Sequence, residues 1–389
     1  MKDRILQTAK EIRDDVVSLS DAIYANPELG NQEFESSKLH AALLEKYGFK
    51  VEKPYLGFPT GYRAEYRSAK PGPHVCYMAE YDALPGVGHG CGHNMLGATS
   101  VAAGILLSRI VDETGGWAVV LGTPAEETNG AKVEYAKRGV FRDLDAAIVC
   151  HPTSVEYYKS GASLAMETIE FEFFGKAAHA ASEPEMGINA LDAATVTNVA
   201  IGLLRQQTRE DARIHGIITE GGLAPNVIPE RVVMRFYVRA ADRVYRNELL
   251  ERVKNCARAG ALATGCELTM NEFEDPYDDL MTNEALSAVM CDALKQVGVE
   301  EVRDPARSFG SLDAGNVSYV CPTIHPYFPI GTDTSVANHT REFAACTQTD
   351  FAKDNMMTAA QAMALAGYRV ITEPETLKKI RDEFEAMPK

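Results

Sequence analysis

A thiol and an imidazole stand two residues apart in the glycine-rich segment GHGCGHN, residues 88–94. The segment follows the apolar run HVCYMA, which predicts a buried strand over 74–79. Glycine lets a backbone turn tightly, so Cys91 and His93 can reach one metal ion. Thiolate and imidazole together suit zinc and other borderline-soft ions. A Cys-x-His pair alone, however, is weak evidence for a metal site.

Two more groups of polar residues come directly after apolar runs. Glu126 and Glu127 follow WAVVLG (117–122), and His151 follows AAIVC (146–150). Adjacent carboxylates repel each other and must stay solvated or find cations. Taken singly, the pair would be a charged loop and His151 a hydrogen-bonded loop residue. Near a metal ion, one carboxylate could bind the ion while the other transfers protons.

The elements that must position these groups alternate between strand and helix. The three apolar runs are typical of strands buried in a covered sheet. Helical spacing separates them, at residues 4–24, 95–111 and 130–138. This alternation predicts an α/β layer architecture, in which sites lie beyond the carboxyl ends of the strands. A single zinc with four such ligands would be a closed structural site, but the spare glutamate favours catalysis.

The pattern changes near residue 163 to a β-α-β-β-α-β order, the split ferredoxin-like arrangement. Strands are predicted at 164–175, 213–221, 231–240 and 266–273, with helices at about 188–207 and 243–264. We therefore predict an inserted lid or dimerisation domain over 164–275. The catalytic domain is then formed by 1–163 and 276–389.

Composition limits the partners and the location. A net charge of −16 argues against nucleic acid and anionic membranes, which need basic surface. No run approaches the roughly 20 apolar residues of a membrane span. The N-terminal segment has four acidic residues and no continuous apolar stretch, which is unlike a secretory signal. The eight cysteines are dispersed without a CxxC pair, which favours reduced thiols and a cytoplasmic location.

Several motifs together resemble the M20 metallopeptidase and amidohydrolase family: GCGHN (90–94), PAEE (124–127), GKAAHAA (175–181), NVIPE (226–230) and the late His339. They occur in the family's order and cover nearly the whole chain. Segments 310–318 and 323–328 are similar to the aminoacylase-1-like-2 branch, which includes aminobenzoyl-glutamate hydrolases and β-alanyl-lysine-type dipeptidases. The resemblance implies a zinc-peptidase-like catalytic domain with an inserted ferredoxin-like domain. It also implies hydrolysis of an N-acyl amino acid or dipeptide, which releases a free amino acid.

The resemblance implies two divalent metal ions per subunit. Cys91 would supply a thiolate that bridges them. Glu127 and His339 would complete one ion, and His93 and His151 the other. Zinc or manganese is expected, with cobalt and nickel as further candidates. The thiolate and imidazole ligands favour zinc among these ions because of their softness.

The resemblance also implies roles for residues that do not bind metal. Glu126 would act as general base and then general acid, and Asp82 would support a metal ligand from behind. His179 would reach the site of a neighbouring subunit and stabilise the oxyanion, which makes a homodimer the expected active form. For the substrate contacts we expect Asn226 from the family motif, and Asp313 and Asn316 from the segment specific to the branch.

The sequence departs from the wider family at three positions. Glu80 stands where many members have a ligating histidine, Cys91 where they have a bridging aspartate, and Asn94 where an aspartate commonly follows the histidine. These departures affect the choice of metal more than the mechanism. Two alternatives stay open from the sequence: a non-catalytic metal-dependent binding protein, and a hydrolase that uses Cys91 as its nucleophile.

Overall fold

The computed structural model describes residues 2–305 and 309–388. They form two compact units. The larger contains 2–162, 280–305 and 313–388, and the smaller contains 163–279 and 309–312. The sequence placed the boundaries at 163/164 and 275/276, and it did not single out 309–312 as part of the insertion.

The described residues contain eleven α-helices. In chain order they are α1 Lys2–Ala25, α2 Phe34–Lys46, α3 His93–Thr114, α4 Ala131–Lys137, α5 Ala190–Leu204, α6 Arg243–Thr264, α7 Glu284–Gln296, α8 Ala314–Ser318, α9 Arg341–Cys346, α10 Asp350–Thr372 and α11 Pro374–Ala386. Short 3₁₀ turns lie at Pro184–Met186 and Arg205–Gln207.

Twelve strands lie within the same described ranges. They are β1 Lys50–Glu52, β2 Tyr62–Arg67, β3 His74–Ala79, β4 Trp117–Gly122, β5 Ala146–Ile148, β6 His151–Thr153, β7 Ala165–Phe174, β8 Arg213–Glu220, β9 Arg231–Ala240, β10 Glu267–Asn271, β11 Thr323–Ile324 and β12 Tyr327–Pro329.

The larger unit is built on a six-stranded sheet in the order β1-β2-β4-β3-β5-β11. Strands β4, β3, β5 and β11 run parallel, whereas β1 and β2 are antiparallel additions. The carboxyl ends of the four parallel strands therefore share one edge. After β5 the chain leaves this sheet, and β6 pairs with β12 in a separate two-stranded sheet.

Helix α3 forms the centre of the larger unit, where it contacts α1, α10 and strands β3 and β4. Its apolar residues face neighbours on every side, as expected for a helix enclosed by a sheet and other helices. It is the one helix in the described ranges long and apolar enough to span a membrane. Because 94% of its apolar window is buried inside the protein, it is a core helix.

The smaller unit has the predicted β-α-β-β-α-β order, β7-α5-β8-β9-α6-β10. Its sheet is antiparallel throughout, in the order β10-β7-β9-β8. Helices α5 and α6 pack against it around a separate apolar core that includes Phe171, Phe173, Met234 and Val253. The fold class is therefore the predicted one, an α/β unit that carries a ferredoxin-like insertion.

Candidate metal centre

The three polar groups identified in the sequence follow neighbouring strands of the sheet. Ala79 at the end of β3 is paired with Gly122 at the end of β4. The segment after β3 carries Asp82 and leads to Cys91 and His93, and the segment after β4 carries the two glutamates. Strand β5 lies on the other side of β3, and His151 stands three residues after its last residue, Ile148. All three groups therefore emerge at one edge of the sheet.

The side chains at these strand ends form two donor sets that share one thiol. Cys91, His93 and His151 make the first set, and Cys91, Glu127 and His339 make the second. Within each set the ligand atoms all lie within 4.8 Å of one another. These are the two sets that the family resemblance implied, and Cys91 is common to both.

Glycines allow the loop around Cys91 to approach its neighbours closely. Gly92 has φ +75°, and a Cβ there would lie 2.9 Å from Pro152. A Cβ on Gly90 would lie 3.2 Å from Cα of His339, whose N–H donates to the Gly90 carbonyl at 2.8 Å. His339 itself has φ +63°, a conformation that costs a non-glycine residue about 1–2 kcal/mol. The bond to Gly90 helps to hold it there.

Asp82 connects the two donor sets from behind. Its Oδ1 lies 2.9 Å from Nδ1 of His93, and its Oδ2 accepts a hydrogen bond from the Glu127 N–H at 3.0 Å. With Nδ1 directed at a carboxylate, Nε2 of His93 is the atom available to a metal ion. Burial raises the pKa of Asp82, but the charge of His93 and the hydrogen bonds from His93 and the Glu127 N–H together outweigh burial, and the pKa is lowered.

Several buried atoms at the centre have the properties of metal ligands. Nε2 of His93, Oε1 of Glu127 and Oε2 of Glu80 are buried, and within the described residues none of them has a hydrogen-bond partner. Nε2 of His93 lies 3.2 Å from Oε2 of Glu80, close enough for an ion pair but without a hydrogen bond between them. Buried polar atoms are normally paired. A thiol, imidazoles and a carboxylate that converge in this way fit divalent ions of the zinc type.

His151 is held in a form that suits metal binding. Its Nδ1 lies 2.6 Å from the Pro152 carbonyl, so Nδ1 donates and Nε2 keeps its lone pair. Its ring centroid is 5.5 Å from that of His93 and 5.5 Å from that of His325. Burial, followed by the neighbouring His325, lowers the pKa of His151 to about 3, so the ring is neutral at pH 7.

Glu126 is the spare carboxylate that the sequence indicated. It is partly buried, and one of its oxygens lies within 4.8 Å of ligand-type atoms of Glu80 and His93. Burial, and then the charges of Glu80 and Glu127, raise the pKa of Glu126 well above its usual value. The carboxyl group therefore stands inside the centre rather than in solvent.

A buried lysine that the sequence reasoning missed lies beside the centre. Lys132 is fully buried, and its Nζ lies 2.8 Å from Oε1 of Glu80 and 2.6 Å from Oδ1 of Asp313. We call these three residues the Lys132 triad. No local pattern reveals the pairing with Asp313, because 181 residues separate the two.

Asp313 was expected to contact the substrate, and the structure places it in the Lys132 triad; its role in substrate binding stays a prediction. Its carboxylate is fully buried and engaged by Lys132, because a buried charge needs a partner of opposite sign. Asn316, three residues later in α8, is partly buried and donates its N–H to the Asp313 carbonyl at 3.1 Å. Its role in substrate binding stays a prediction.

The remaining two predicted residues lie together in the smaller unit. His179 is exposed, and its Nδ1 accepts hydrogen bonds from the N–H groups of Ala181 and Ser182 at 3.2 and 3.1 Å. This arrangement leaves the ring proton on Nε2. The exposed Asn226 is adjacent, since its carbonyl accepts from the Ala180 N–H at 3.0 Å.

A family model and several known proteins match most of the chain. A model of peptidase family M20/M25/M40 matches residues 76–366. The Xaa-Arg dipeptidase of Mus musculus is 34% identical, over 99% of this chain and 92% of its own length. A p-aminobenzoyl-glutamate hydrolase chain of Escherichia coli K12 is 32% identical, over 73% of this chain and 62% of its own length.

Solved structures show the same fold. A putative aminohydrolase from methicillin-resistant Staphylococcus aureus superposes with a TM-score of 0.82 at 20% identity, covering 95% of this chain and all of that one. A dinuclear metal binding peptidase of the M20 family from Bacillus subtilis has a TM-score of 0.70 at 20% identity, covering 93% of this chain and 99% of that one.

Proposed function

The chain belongs to peptidase family M20/M25/M40, and on that premise we propose how its residues carry out catalysis. It is a metal-dependent hydrolase of amide bonds in N-acyl amino acids or dipeptides. One observation carries the assignment of residues: two donor sets share Cys91, with Glu126 as a further carboxylate beside them.

In the proposed arrangement Cys91, His93 and His151 hold one ion, while Cys91, Glu127 and His339 hold the other. Ions bound there would polarise the substrate carbonyl and activate water. The thiolate and three imidazoles favour zinc, and manganese, cobalt and nickel are the alternatives to test. Asp82 orients His93 through one side-chain oxygen and the Glu127 backbone through the other.

Glu126 is the proposed base and acid. Its carboxylate accepts a proton from the attacking water and delivers that proton to the amide nitrogen as it leaves. A single side chain can serve both steps if it starts and finishes each turnover ionised. Cations bound at the centre would favour that form, because their charge opposes the effect of burial, Glu80 and Glu127 on the pKa of Glu126. Its position next to Glu80 and His93 keeps it inside the centre, where both proton transfers take place.

The test is Glu126→Gln, which keeps the shape of the side chain but cannot take the proton. We expect two ions per subunit, as in the wild type, and a kcat lowered by about 10²–10⁴-fold. Glu134→Gln, which changes a carboxylate on α4 that pairs with Lys137 and Arg138, is the matched control and should be fully active. Near-normal turnover by Glu126→Gln would refute the assignment.

Chelation separates the metal mechanism from a thiol nucleophile. A chelator should abolish hydrolysis and added zinc or manganese should restore it, because the attacking group is water. Burial, followed by the charge of Glu127, raises the pKa of Cys91 well above its usual value in the absence of metal. Full activity of the metal-free protein would favour Cys91 as nucleophile instead.

For the substrate we propose a dipeptide first. The relatives that match 99% of this chain are named Xaa-Arg dipeptidases, whereas the p-aminobenzoyl-glutamate hydrolase chain matches 73%. The discriminating experiment measures amine release from dipeptides that end in arginine or lysine, β-alanyl dipeptides, p-aminobenzoyl-glutamate and N-acetyl amino acids. Preference for either of the last two classes would overturn the dipeptide proposal and leave amide hydrolysis intact.

We also propose a homodimer in which Nε2–H of His179 donates to the oxyanion in the partner's site. Strand β8 supports this, because it is an edge strand with seven of its eight residues exposed, and open edges favour pairing with another chain. Large apolar side chains are also exposed on β8 and α5: Ile217 is 66% exposed, Val199 59% and Leu203 71%.

Mixed dimers test that arrangement. His179→Ala and Glu126→Gln should each be nearly inactive alone. In a mixed dimer, one site combines an intact Glu126 with the intact His179 of the other subunit, so activity returns at up to half the wild-type level. If His179 acts within its own subunit, the mixed dimer stays inactive. Sedimentation that shows a monomer would refute the dimer itself.

A further inference from the structure

The segment between α1 and α2 passes beside both turns that carry the carboxylates of the centre. The Glu28 carbonyl accepts a hydrogen bond from the Ala83 N–H at 2.8 Å, next to Asp82. A Cβ on Gly30 would lie 3.0 Å from Cβ of Ala125, next to Glu126. We call residues 28–33 the N-terminal strap. It contacts the turn after β3 and the turn after β4.

The strap ends at a carboxylate that is wholly buried. Glu33 is 0% exposed, and each of its oxygens accepts one hydrogen bond. Oε1 accepts from the Ala125 N–H at 2.9 Å, and Oε2 accepts from the Thr60 hydroxyl at 2.9 Å. Thr60 is anchored in turn, because its carbonyl accepts from the Tyr81 hydroxyl at 2.7 Å. Glu33 thus connects the turn after β4 to the segment before β2.

The hydrogen bond from Ala125 to Glu33 holds a residue with an unusual backbone conformation. It has φ +65°, a left-handed conformation that a non-glycine residue keeps only when its surroundings impose it. Two backbone hydrogen bonds also hold this turn, from the Thr128 N–H to the Ala125 carbonyl and from the Ala131 N–H to the Pro124 carbonyl. Neither of them involves the Ala125 N–H. The Ala125 N–H is bound by Glu33. The next two residues are Glu126 and Glu127.

We infer that Glu33 is a positioning residue, which fixes the left-handed turn at Ala125 and so directs Glu126 and Glu127 into the centre. The inference rests on the roles given to those two glutamates in the proposed function. Glu33 acts through the backbone and is not itself a ligand or base.

Burial of the Glu33 carboxyl is energetically unfavourable, which agrees with a positioning role for this residue. Burial, and then the charge of Asp82, raise the pKa of Glu33 to about 7. A neutral side chain would be easier to bury at this position. The acid is well suited to accept two hydrogen bonds from different elements at once.

The test compares Glu33→Ala with Glu33→Gln. The glutamine oxygen can still accept from Ala125 while its NH₂ group donates to the Thr60 hydroxyl, so Glu33→Gln should bind zinc and turn over like the wild type. Glu33→Ala should bind zinc about 10–100-fold more weakly in a competition assay with a chromophoric chelator. It should also lower kcat with little change in KM.

Asp211→Ala is the matched structural control. Asp211 is a buried carboxylate of the smaller unit whose Oδ2 accepts from the Ala241 N–H at 2.9 Å, which is the same kind of bond. Its loss should lower the unfolding temperature and leave zinc affinity and kcat unchanged. If Glu33→Ala behaves in the same way, Glu33 is only structural and the inference is overturned.

A second variant keeps the inference testable if Glu33→Ala does not fold. Thr60→Val removes one of the two bonds that hold the Glu33 carboxylate, and it should weaken zinc binding by a smaller factor. Unchanged zinc affinity in that variant would also overturn the inference. A wild-type protein that binds zinc but hydrolyses nothing in the panel would refute the proposed function, while the zinc measurements would still test Glu33.

Discussion

Replacement of Lys132 by methionine is the sharpest test of how the centre is built. Methionine keeps a long apolar stem in the buried position but removes the charge that Lys132 supplies. Glu80 and Asp313, at 2.8 and 2.6 Å from Nζ, would then be left as buried carboxylates without that cation. Truncating one partner of a buried ion pair costs more than the pair itself contributes, because the remaining charge stays desolvated.

The structure gives the size of the expected loss. Burial alone would raise the pKa of Glu80, but the charge of Lys132, together with smaller contributions from His93, His151 and His325, outweighs burial and the pKa falls from 4.5 to about 2. That lowering corresponds to about 3 kcal/mol of stabilisation of the charged form. A loss of about 3–5 kcal/mol is typical when one partner of a buried pair is removed. We therefore expect Lys132→Met to lower the free energy of unfolding by about 3–5 kcal/mol at pH 8.

The loss should depend on pH in a defined direction. In the variant, burial without a cation raises the pKa values of both carboxyls above those of the unfolded chain. A carboxyl whose pKa is raised in the folded state destabilises the fold as pH rises above its unfolded value. Near pH 5 the folded variant can keep both carboxyls protonated, so the difference from wild type should be smaller there than at pH 8.

The assay is urea unfolding followed by far-UV circular dichroism at both pH values, with a chelator present so that metal binding does not contribute. Lys137→Met is the matched control, because Lys137 lies on the same helix but is 52% exposed and pairs with Glu134 on the surface. It should change stability by less than about 1 kcal/mol. A loss below about 1 kcal/mol for Lys132→Met, or an equal loss at both pH values, would refute the reasoning.

Three further predictions test the ligands, a buried histidine and the packing of α3. Cys91→Ala should lose both ions, because both donor sets use its thiol, whereas His339→Ala should keep one; metal analysis after gel filtration distinguishes them. Burial lowers the pKa of His40 to about 3, so below about pH 6.5 the unfolded chain binds a proton at this residue and the folded chain does not. The free energy of unfolding of the wild type should therefore fall by about 3 kcal/mol relative to that of His40→Asn between about pH 7 and pH 4. Urea unfolding at the two pH values measures this difference. Gly97→Ala should lower stability by about 1–3 kcal/mol in thermal unfolding, because the new Cβ would lie 2.5 Å from a backbone carbonyl oxygen. Gly202→Ala is the control: no atom would lie within 4 Å of its Cβ, and alanine favours the helix, so stability should rise by up to about 1 kcal/mol.

Features fixed by local patterning were predictable from the sequence. Strands β3 and β4 begin and end where the apolar runs do, because these runs are buried on both faces of the sheet. Helix α3 extends beyond the predicted 95–111 to His93–Thr114. It begins directly after Gly92, whose left-handed backbone conformation is not helical.

Features that depend on distant parts of the chain were not predictable. The bond between Glu33 and Ala125 joins residues 92 apart, and the pair of Lys132 and Asp313 joins residues 181 apart. Asp313 was assigned to the substrate because its segment resembled a branch motif, and that motif carries no information about burial. The third apolar run was predicted as one strand, but β5 ends at Ile148 because the chain then joins a different sheet.

The unequal exposure of the five proposed ligands predicts an order in which the two ions should leave. Four of the five ligands are buried or partly buried, whereas the His339 side chain is 56% exposed and its backbone is in a disfavoured conformation. Solvent can reach the ion beside His339 first, so it should exchange faster than the ion held by His93 and His151. Brief dialysis against a weak chelator should then produce a one-ion enzyme, and the time course of metal loss should show two separate phases.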